Sequence, residues 1–266
     1  MFEFIDRRRV KAEARAIVRE SQVPARTFFA LYFAAVAAIN LCDWLGASQE
    51  GQSLLSTPAQ LFISIFSSLL LWILGAGATL YCMAVRRGER AEYLVLFDGF
   101  SFAGKLILLR LLQSLFIFLW MLVFIFPGFI AAYRYRFAPL NLYENPSLSP
   151  LEALDLSKRQ TRGYKNQLFL LDLSYFGWEM LATLPTVYVT AASSLAEAGV
   201  TLPGPHESSF AVFLLEMVFL VTVSIFYRPA YQITELMYFE TAIRTSTCDP
   251  NRLPQKDADE DESSFF

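Results

Sequence analysis

The chain has little charge, a single histidine and few cysteines. Only 18% of its 266 residues are charged, and His206 is the one histidine. One histidine argues against a histidine-based metal site and against a Ser-His-Asp triad. Three cysteines, Cys42, Cys82 and Cys248, form neither an even-numbered disulfide framework nor a metal-binding spacing. These shortages exclude most hydrolase and metal chemistry.

Motifs that carry chemistry are missing as well. The sequence contains no P-loop, dinucleotide fingerprint or catalytic motif. Its basic segments could attract nucleic acid, but they lie beside apolar segments, so anionic lipid is the simpler partner. We therefore predict a protein that is not an enzyme, has no cofactor, no metal and no nucleic-acid partner, and binds the lipid bilayer through anionic headgroups.

Apolar residues are abundant instead. They make up 55% of the chain, include 25 phenylalanines and give a positive mean hydropathy of +0.40. Several apolar runs approach the length of about 20 residues that a helix needs to cross a bilayer. The five strong segments are 27–45, 61–85, 106–126, 168–190 and 210–226, and a weaker one is 128–143. The sequence predicts an all-α polytopic transmembrane helical bundle with about six membrane segments and amphipathic interfacial helices.

The two ends of the chain differ from this apolar body. Residues 1–26 carry seven Lys or Arg, and four of these lie opposite a row of small and apolar residues at helical spacing. The segment predicts a basic amphipathic interfacial helix, followed by a transmembrane domain over 27–245. Residues 246–266 hold six acids and two bases and predict a disordered acidic cytoplasmic tail. The predicted headgroup contacts are Arg8, Lys11, Arg15, Arg19, Lys158, Arg159, Arg162 and Lys165.

Basic residues also predict the topology. The segments 46–60 and 191–209 contain no Lys or Arg, whereas the other connections and both flanks are rich in them. By the positive-inside rule both termini are cytoplasmic, in a multi-pass protein of the cell inner membrane. The chain must then return to the cytoplasmic side between Lys105 and Lys158. We expect a hairpin hinged at Pro127 and Gly128, either fully spanning or re-entrant.

Proline and serine signals predict several helix ends. Ser149 with Glu152 forms a capping-box pattern that predicts a short helix ending at Gly163. Pro229 is expected to bend the chain after the last span, with a separate interfacial helix over 231–244.

Five ionisable residues interrupt the apolar segments. Such charges are costly at bilayer depth and are expected to face inward. They are Arg134, Arg136, Asp172, Glu179 and Glu216. Asp172 and Glu179 are seven residues apart, which places both carboxylates on one helix face. Either an arginine pairs with a carboxylate and holds the hairpin against its neighbour, or the carboxylates line a hydrated path for an ion, proton or small substrate.

The stretch LWMLVFIFPGFIAAYRYRFAPLNLYENPSLSPLEALDLSKRQTRGYKNQLFLLDLSYFGW, residues 119–178, resembles the bacterial integral membrane proteins of domain-of-unknown-function family 975. The resemblance includes a Leu-Trp run, a Pro-Gly break, an Asn-Pro pair, a Ser-Lys and Gly-x-Lys helix and a Ser-to-Trp span. These are Leu119, Trp120, Pro127, Gly128, Tyr133, Tyr135, Asn145, Pro146, Ser157, Lys158, Gly163, Lys165, Ser174 and Trp178. Weaker similarity extends to residues 11–15 and 229–239. The resemblance implies a membrane architecture and no assigned activity.

Two functional hypotheses follow. The absence of chemistry motifs favours a non-enzymatic membrane scaffold or envelope-associated accessory protein. The alternative is a small transporter or channel-like component with an intramembrane carboxylate path, because transporters place broken helices at midplane sites.

Overall fold

The computed structural model describes residues 5–21, 23–46, 57–197, 199–200 and 210–246. Within these ranges the chain is helical and contains no strand, which confirms the all-α prediction. In chain order the helices are α1 Arg7–Glu20, α2 Ala25–Gly46, α3 Thr57–Arg87, a 3-10 helix Tyr93–Phe102, α4 Ala103–Val123, α5 Ile125–Arg134, α6 Ala138–Glu144, α7 Pro150–Gln160, α8 Lys165–Glu197 and α9 Phe210–Ser246. The acidic tail after Ser246 and most of both predicted outer loops lie outside the described residues.

Four helical segments among the described residues are long and apolar enough to cross a membrane. They are Ala25–Gly46, Pro58–Arg87, Tyr93–Val123 and Phe210–Thr245. The predicted segments 128–143 and 168–190 are not among them. Segment 128–143 is divided between α5, which has 10 residues, and α6, which has 7, and neither reaches the length of a spanning helix.

The described residues form two compact units. The larger unit comprises residues 5–103 and 167–237, and the smaller unit comprises residues 104–166 and 238–246. Each unit has its own packed interior.

In the larger unit the backbones of α3 and the 3-10 helix lie unusually close together. A Cβ added at Gly77 would lie 2.0 Å from the carbonyl oxygen of Leu96, and one at Gly99 would lie 2.6 Å from that of Ile73. Only glycine permits backbones to come this near.

The smaller unit encloses an uncharged polar network between α6 and α7. Asn141 and Gln160 exchange two side-chain hydrogen bonds of 2.9 and 2.8 Å, and both residues are fully buried. Ser157 Oγ accepts from the Phe137 amide at 3.1 Å and donates to the Arg134 carbonyl at 2.9 Å. The buried side chains of Asn141, Gln160 and Ser157 therefore all have hydrogen-bond partners, as burial requires.

The predicted capping box at the start of α7 is present. Ser149 Oγ accepts from the Glu152 amide, and the Glu152 carboxylate accepts from the Ser149 amide at 2.8 Å. After α7, Gly163 has a φ of 86°, a left-handed conformation that a Cβ makes unfavourable.

The hairpin hinge is not where the sequence predicted it. Phe124 is the single extended residue between α4 and α5, with φ −160° and ψ 151°, whereas Pro127 and Gly128 lie inside α5. Pro127 fits there because the first turn of a helix does not need its N–H. Gly128 allows α5 to pass close to α4, since a Cβ on it would lie 2.2 Å from Met121 Cγ.

The predicted bend at Pro229 is also corrected. α9 runs unbroken for 37 residues with Pro229 inside it, so the expected separate helix over 231–244 is its continuation. Proline removes the hydrogen bond that the Ile225 carbonyl would otherwise accept. The helix continues because its flanks on both sides are packed: Tyr227 and Ala230 are buried next to the proline.

Candidate functional site on helices α8 and α9

Two carboxylates on α8 meet three polar side chains on α9. The Tyr231 hydroxyl donates to Asp172 Oδ1 at 2.9 Å. The Tyr227 hydroxyl donates to Glu179 Oε2, and Arg228 Nη2 donates to Glu179 Oε1 at 3.1 Å. The structure therefore places both predicted carboxylates in one polar cluster within the larger unit.

Helix geometry explains how these residues meet. Asp172 and Glu179 are seven residues apart, close to two turns, and Tyr227 and Tyr231 are four apart, close to one. Both pairs thus lie on single helix faces. Glu179 meets the earlier tyrosine and Asp172 the later one, so α8 and α9 run antiparallel along this contact.

Aromatic rings surround the carboxylates. Tyr175, buried on α8, contacts Tyr231 edge to face with ring centroids 5.2 Å apart. Trp178 stacks on Tyr227 with centroids 6.3 Å apart and an interplanar angle of 16°. These contacts hold the tyrosine hydroxyls in position, since packed rings have few rotamers to exchange.

Helix α1 lies along α8 beside this cluster. Arg7 donates to the Leu170 carbonyl at 3.1 Å, and Lys11 Nζ donates to the Ser174 carbonyl at 3.3 Å. Lys11 Nζ also lies 3.9 Å from the centroid of the Tyr175 ring, within the range of a cation–π contact. Burial, helped by the nearby charges of Arg15 and Arg7, lowers the pKa of Lys11. One face of the basic helix α1 therefore packs against α8.

A cavity of about 220 Å³ opens among these residues. Its lining comprises Asp172, Tyr175, Phe176, Glu179, Tyr227, Arg228 and Tyr231. The Arg228 Nε atom is buried and has no hydrogen-bond partner, although its Nη2 pairs with Glu179. The cavity is large enough for several water molecules and presents acidic, phenolic and guanidinium groups. Such a lining can hold a proton, a hydrated cation or a small polar molecule.

Other predicted site residues have different surroundings. Arg134 is the last residue of α5, and the Arg136 guanidinium lies 5.6 Å from the centroid of the Tyr133 ring. Glu216 is on α9 and half-buried, three turns and about 16 Å along the helix from Tyr227. The cation that pairs with Glu179 is Arg228, which is not among the site residues predicted from the sequence. The signal for it was present, because Arg228 lies only two residues after the last apolar run, 210–226.

The predicted headgroup contacts are mostly exposed. Arg8, Arg15 and Arg19 lie on the outer face of α1, and Arg159 and Arg162 are exposed at the end of α7. Lys158 pairs with Asp155 at 2.5 Å. Lys165 is half-buried, and burial together with the charges of Arg134 and Arg162 lowers its pKa. Their contact with lipid remains a prediction.

Among the described residues, no group of three or more His, Cys, Asp or Glu side chains is arranged to hold a metal ion.

The part of the chain that the structure describes is helical and includes four helices long and apolar enough to cross a membrane, which is typical of an integral membrane protein. Residues 121–246 match the model of a family described as "Protein of unknown function (DUF975)", which confirms the family resemblance drawn from the sequence. The match extends through the whole α8–α9 cluster. No curated protein and no solved structure matches the chain.

Proposed function

We propose that the protein is a non-enzymatic membrane scaffold or envelope-associated accessory protein of the bacterial inner membrane, with both termini cytoplasmic. The observation that carries this proposal is the contact of Glu179 with both Tyr227 and Arg228. A carboxylate that is neutralised by a guanidinium and bound by a phenol is satisfied in place. The most direct consequence of these two contacts is that α8 is held against α9.

Anionic lipid is the proposed partner outside this cluster. The outward face of α1 presents Arg8, Arg15 and Arg19, and each cation near an anionic surface contributes about 1 kcal/mol to binding. These residues would hold the larger unit at the headgroup level while the apolar helices lie in the hydrocarbon.

A second candidate function is supported by the cavity. Both carboxylates line its volume of about 220 Å³, and a scaffold does not need such a space next to its ion pair. In a transporter or channel-like component, Asp172 and Glu179 would exchange protons or bind a cation as it moves past. Because Pro229 has no N–H, the Ile225 carbonyl lacks its helical hydrogen bond and would be a further acceptor for the cation or proton carrier.

Two conservative variants, Glu179→Gln and Asp172→Asn, distinguish the two functions. Full-length protein is reconstituted in vesicles, and both thermal unfolding and proton flux are measured, the latter with an enclosed pH dye and a potassium diffusion potential. A scaffold loses stability in Glu179→Gln and shows no proton flux in any form. A transporter or channel conducts protons in the wild type and loses that flux in at least one variant that remains folded.

Thr183→Val is the matched control. Thr183 is on α8 one turn from Glu179, and its hydroxyl donates only to its own helix, to the carbonyls of Glu179 and Met180. This variant should leave both readouts unchanged. Wild-type stability in Glu179→Gln would overturn the scaffold proposal.

A further inference from the structure

The turn between α4 and α5 has no polar side chain to meet water. Residues 115–132 contain no charged, amide or hydroxyl group, whereas the predicted outer loops 46–60 and 191–209 each contain several serines and a glutamate. Every residue from Phe118 to Phe126 is exposed, and Phe126 reaches 82%. A turn that emerged into water would leave this apolar surface unburied.

The hairpin is also short. Gln113 Nε2 donates to the Tyr135 carbonyl at 3.4 Å, and the rings of Phe116 and Tyr135 stack with centroids 5.9 Å apart. Tyr135 therefore lies level with the turn of α4 that contains Gln113. From Gln113 to Phe124 is eleven residues, which is about 17 Å of helix. That length matches one leaflet, about half of a 30 Å hydrocarbon core.

Positive charge is concentrated at the open end of the hairpin. Arg110 bonds Gln113 at 3.4 Å, and Arg134 and Arg136 follow directly after the apolar stretch of α5. Burial, together with the nearby charges of Arg134 and Arg162, lowers the pKa of Lys165. These cations are complementary to anionic headgroups.

We propose that α4 and α5 form a re-entrant hairpin, which enters a single leaflet from the side of its basic residues and ends near the bilayer midplane. Its partners are the acyl chains of that leaflet and anionic headgroups around its base. A hairpin that crossed the whole bilayer would place Arg110, Arg134 and Arg136 near the midplane, where charge is most costly. The proposal decides between the two hairpin alternatives that the sequence left open.

The backbone of the turn is suited to this depth. Only Phe124 departs from helical geometry, its amide donates to the Trp120 carbonyl at 3.2 Å, and its carbonyl accepts from the Gly128 amide at 3.4 Å. Pro127 has no N–H to leave unsatisfied. The turn thus keeps two backbone hydrogen bonds across the break, which lowers the number of unsatisfied backbone groups that the hydrocarbon would meet.

Depth measurements on full-length protein test the proposal. Nitroxides are attached to cysteines at Leu111, Phe118, Phe126 and Ile130, with the native cysteines replaced, in vesicles of phosphatidylethanolamine and phosphatidylglycerol. We expect oxygen accessibility to peak at residue 126, with the water-soluble nickel complex excluded there and admitted toward residue 111. Access of the nickel complex to residue 126 would overturn the proposal, and so would exclusion of both reagents, because that indicates a covering protein.

Labelling with a membrane-impermeant maleimide gives an independent test. Phe126→Cys should react from neither side before detergent is added, whereas Leu151→Cys and Val200→Cys, both exposed, report the two opposite sides of the predicted topology. Reaction of residue 126 from the side of residue 200 would establish a full crossing and refute the re-entrant hairpin.

A charged residue at the tip of the hairpin gives a third test, in which the amount of membrane-inserted protein is measured. Phe126→Arg should reduce the amount of membrane-inserted protein by on the order of tenfold, because the side chain would be carried to the midplane. The matched variant Phe126→Leu should insert normally. Equal insertion of both variants contradicts the proposal, since arginine is tolerated at an outer interface.

Discussion

The two units stabilise their polar side chains in opposite ways. In the smaller unit an uncharged pair, Asn141 and Gln160, is fully buried and bonded in both directions. In the larger unit the charged pair Glu179 and Arg228 leaves 47% and 38% of its side chains exposed. Burying a neutral amide pair costs far less than burying two charges. The neutral network fixes one packing, whereas the half-exposed charges keep access to protons and ions.

The largest effect is expected in the neutral network. Gln160→Leu leaves the Asn141 amide without its main partner in a closed interior, and should lower the free energy of unfolding by about 2–3 kcal/mol. Thermal or chemical unfolding in lipid nanodiscs measures the loss. The double variant Asn141→Leu with Gln160→Leu should recover most of it, because two apolar groups replace two matched polar ones. A double variant as unstable as the single one would show that these amides do not act as a pair.

Local signals in the sequence were the most informative about the fold. The Ser149 and Glu152 capping box was predicted to the residue, since both partners lie within one helical turn and need no tertiary contact. The all-helical class followed from apolar run lengths in the same way. Both predictions depend only on residues that are close together in the sequence.

Proline positions were predicted less well, because the effect of proline depends on what surrounds it. Pro127 was expected to end α4, but it occupies the first turn of α5 and the break lies three residues earlier, at Phe124. Pro229 was expected to end a helix that continues through it. At Pro127 the first turn of α5 does not need the missing N–H, and at Pro229 the burial of Tyr227 and Ala230 offsets the lost hydrogen bond.

The candidate site was half predicted. Asp172 and Glu179 were identified, since carboxylates inside an apolar run are conspicuous. Arg228 was missed because α9 was taken to end at Phe226. Once the helix continues through Pro229, Tyr227 and Tyr231 share one face. The pairing of α8 with α9 is a tertiary choice that no spacing within either segment could reveal.

A smaller effect is expected in the charged pair. Arg228→Gln and Glu179→Gln should each lower the free energy of unfolding by about 1–2 kcal/mol, because each leaves one charge without its counterion but half exposed. The double variant should be less destabilised than the sum, with a coupling energy of about 1 kcal/mol. If the two single losses in free energy of unfolding add exactly in the double variant, Glu179 and Arg228 contribute to stability independently. The two units would then differ in how deeply their polar side chains are buried, and not in whether those side chains act as a pair.

The smallest effect concerns the contact between Lys11 and Tyr175. Lys11→Met removes the cation but retains an unbranched side chain against the ring, so the loss should be about 0.5–1 kcal/mol at neutral pH. Hydrogen exchange along α1 measures it best, because only the docking of that helix should weaken. Arg9→Met, at an exposed position of the same helix, is the matched control and should not alter exchange.

The pH dependence of this variant sharpens the comparison further. Burial and the charges of Arg15 and Arg7 lower the pKa of folded Lys11 below its ordinary 10.5, so the unfolded chain binds this proton more tightly than the folded one. Wild-type stability relative to Lys11→Met should therefore rise as the pH increases through the folded pKa toward 10.5. A difference that falls over that range would mean that the folded protein stabilises the ammonium, and that Tyr175 and the Ser174 carbonyl outweigh the desolvation of Lys11.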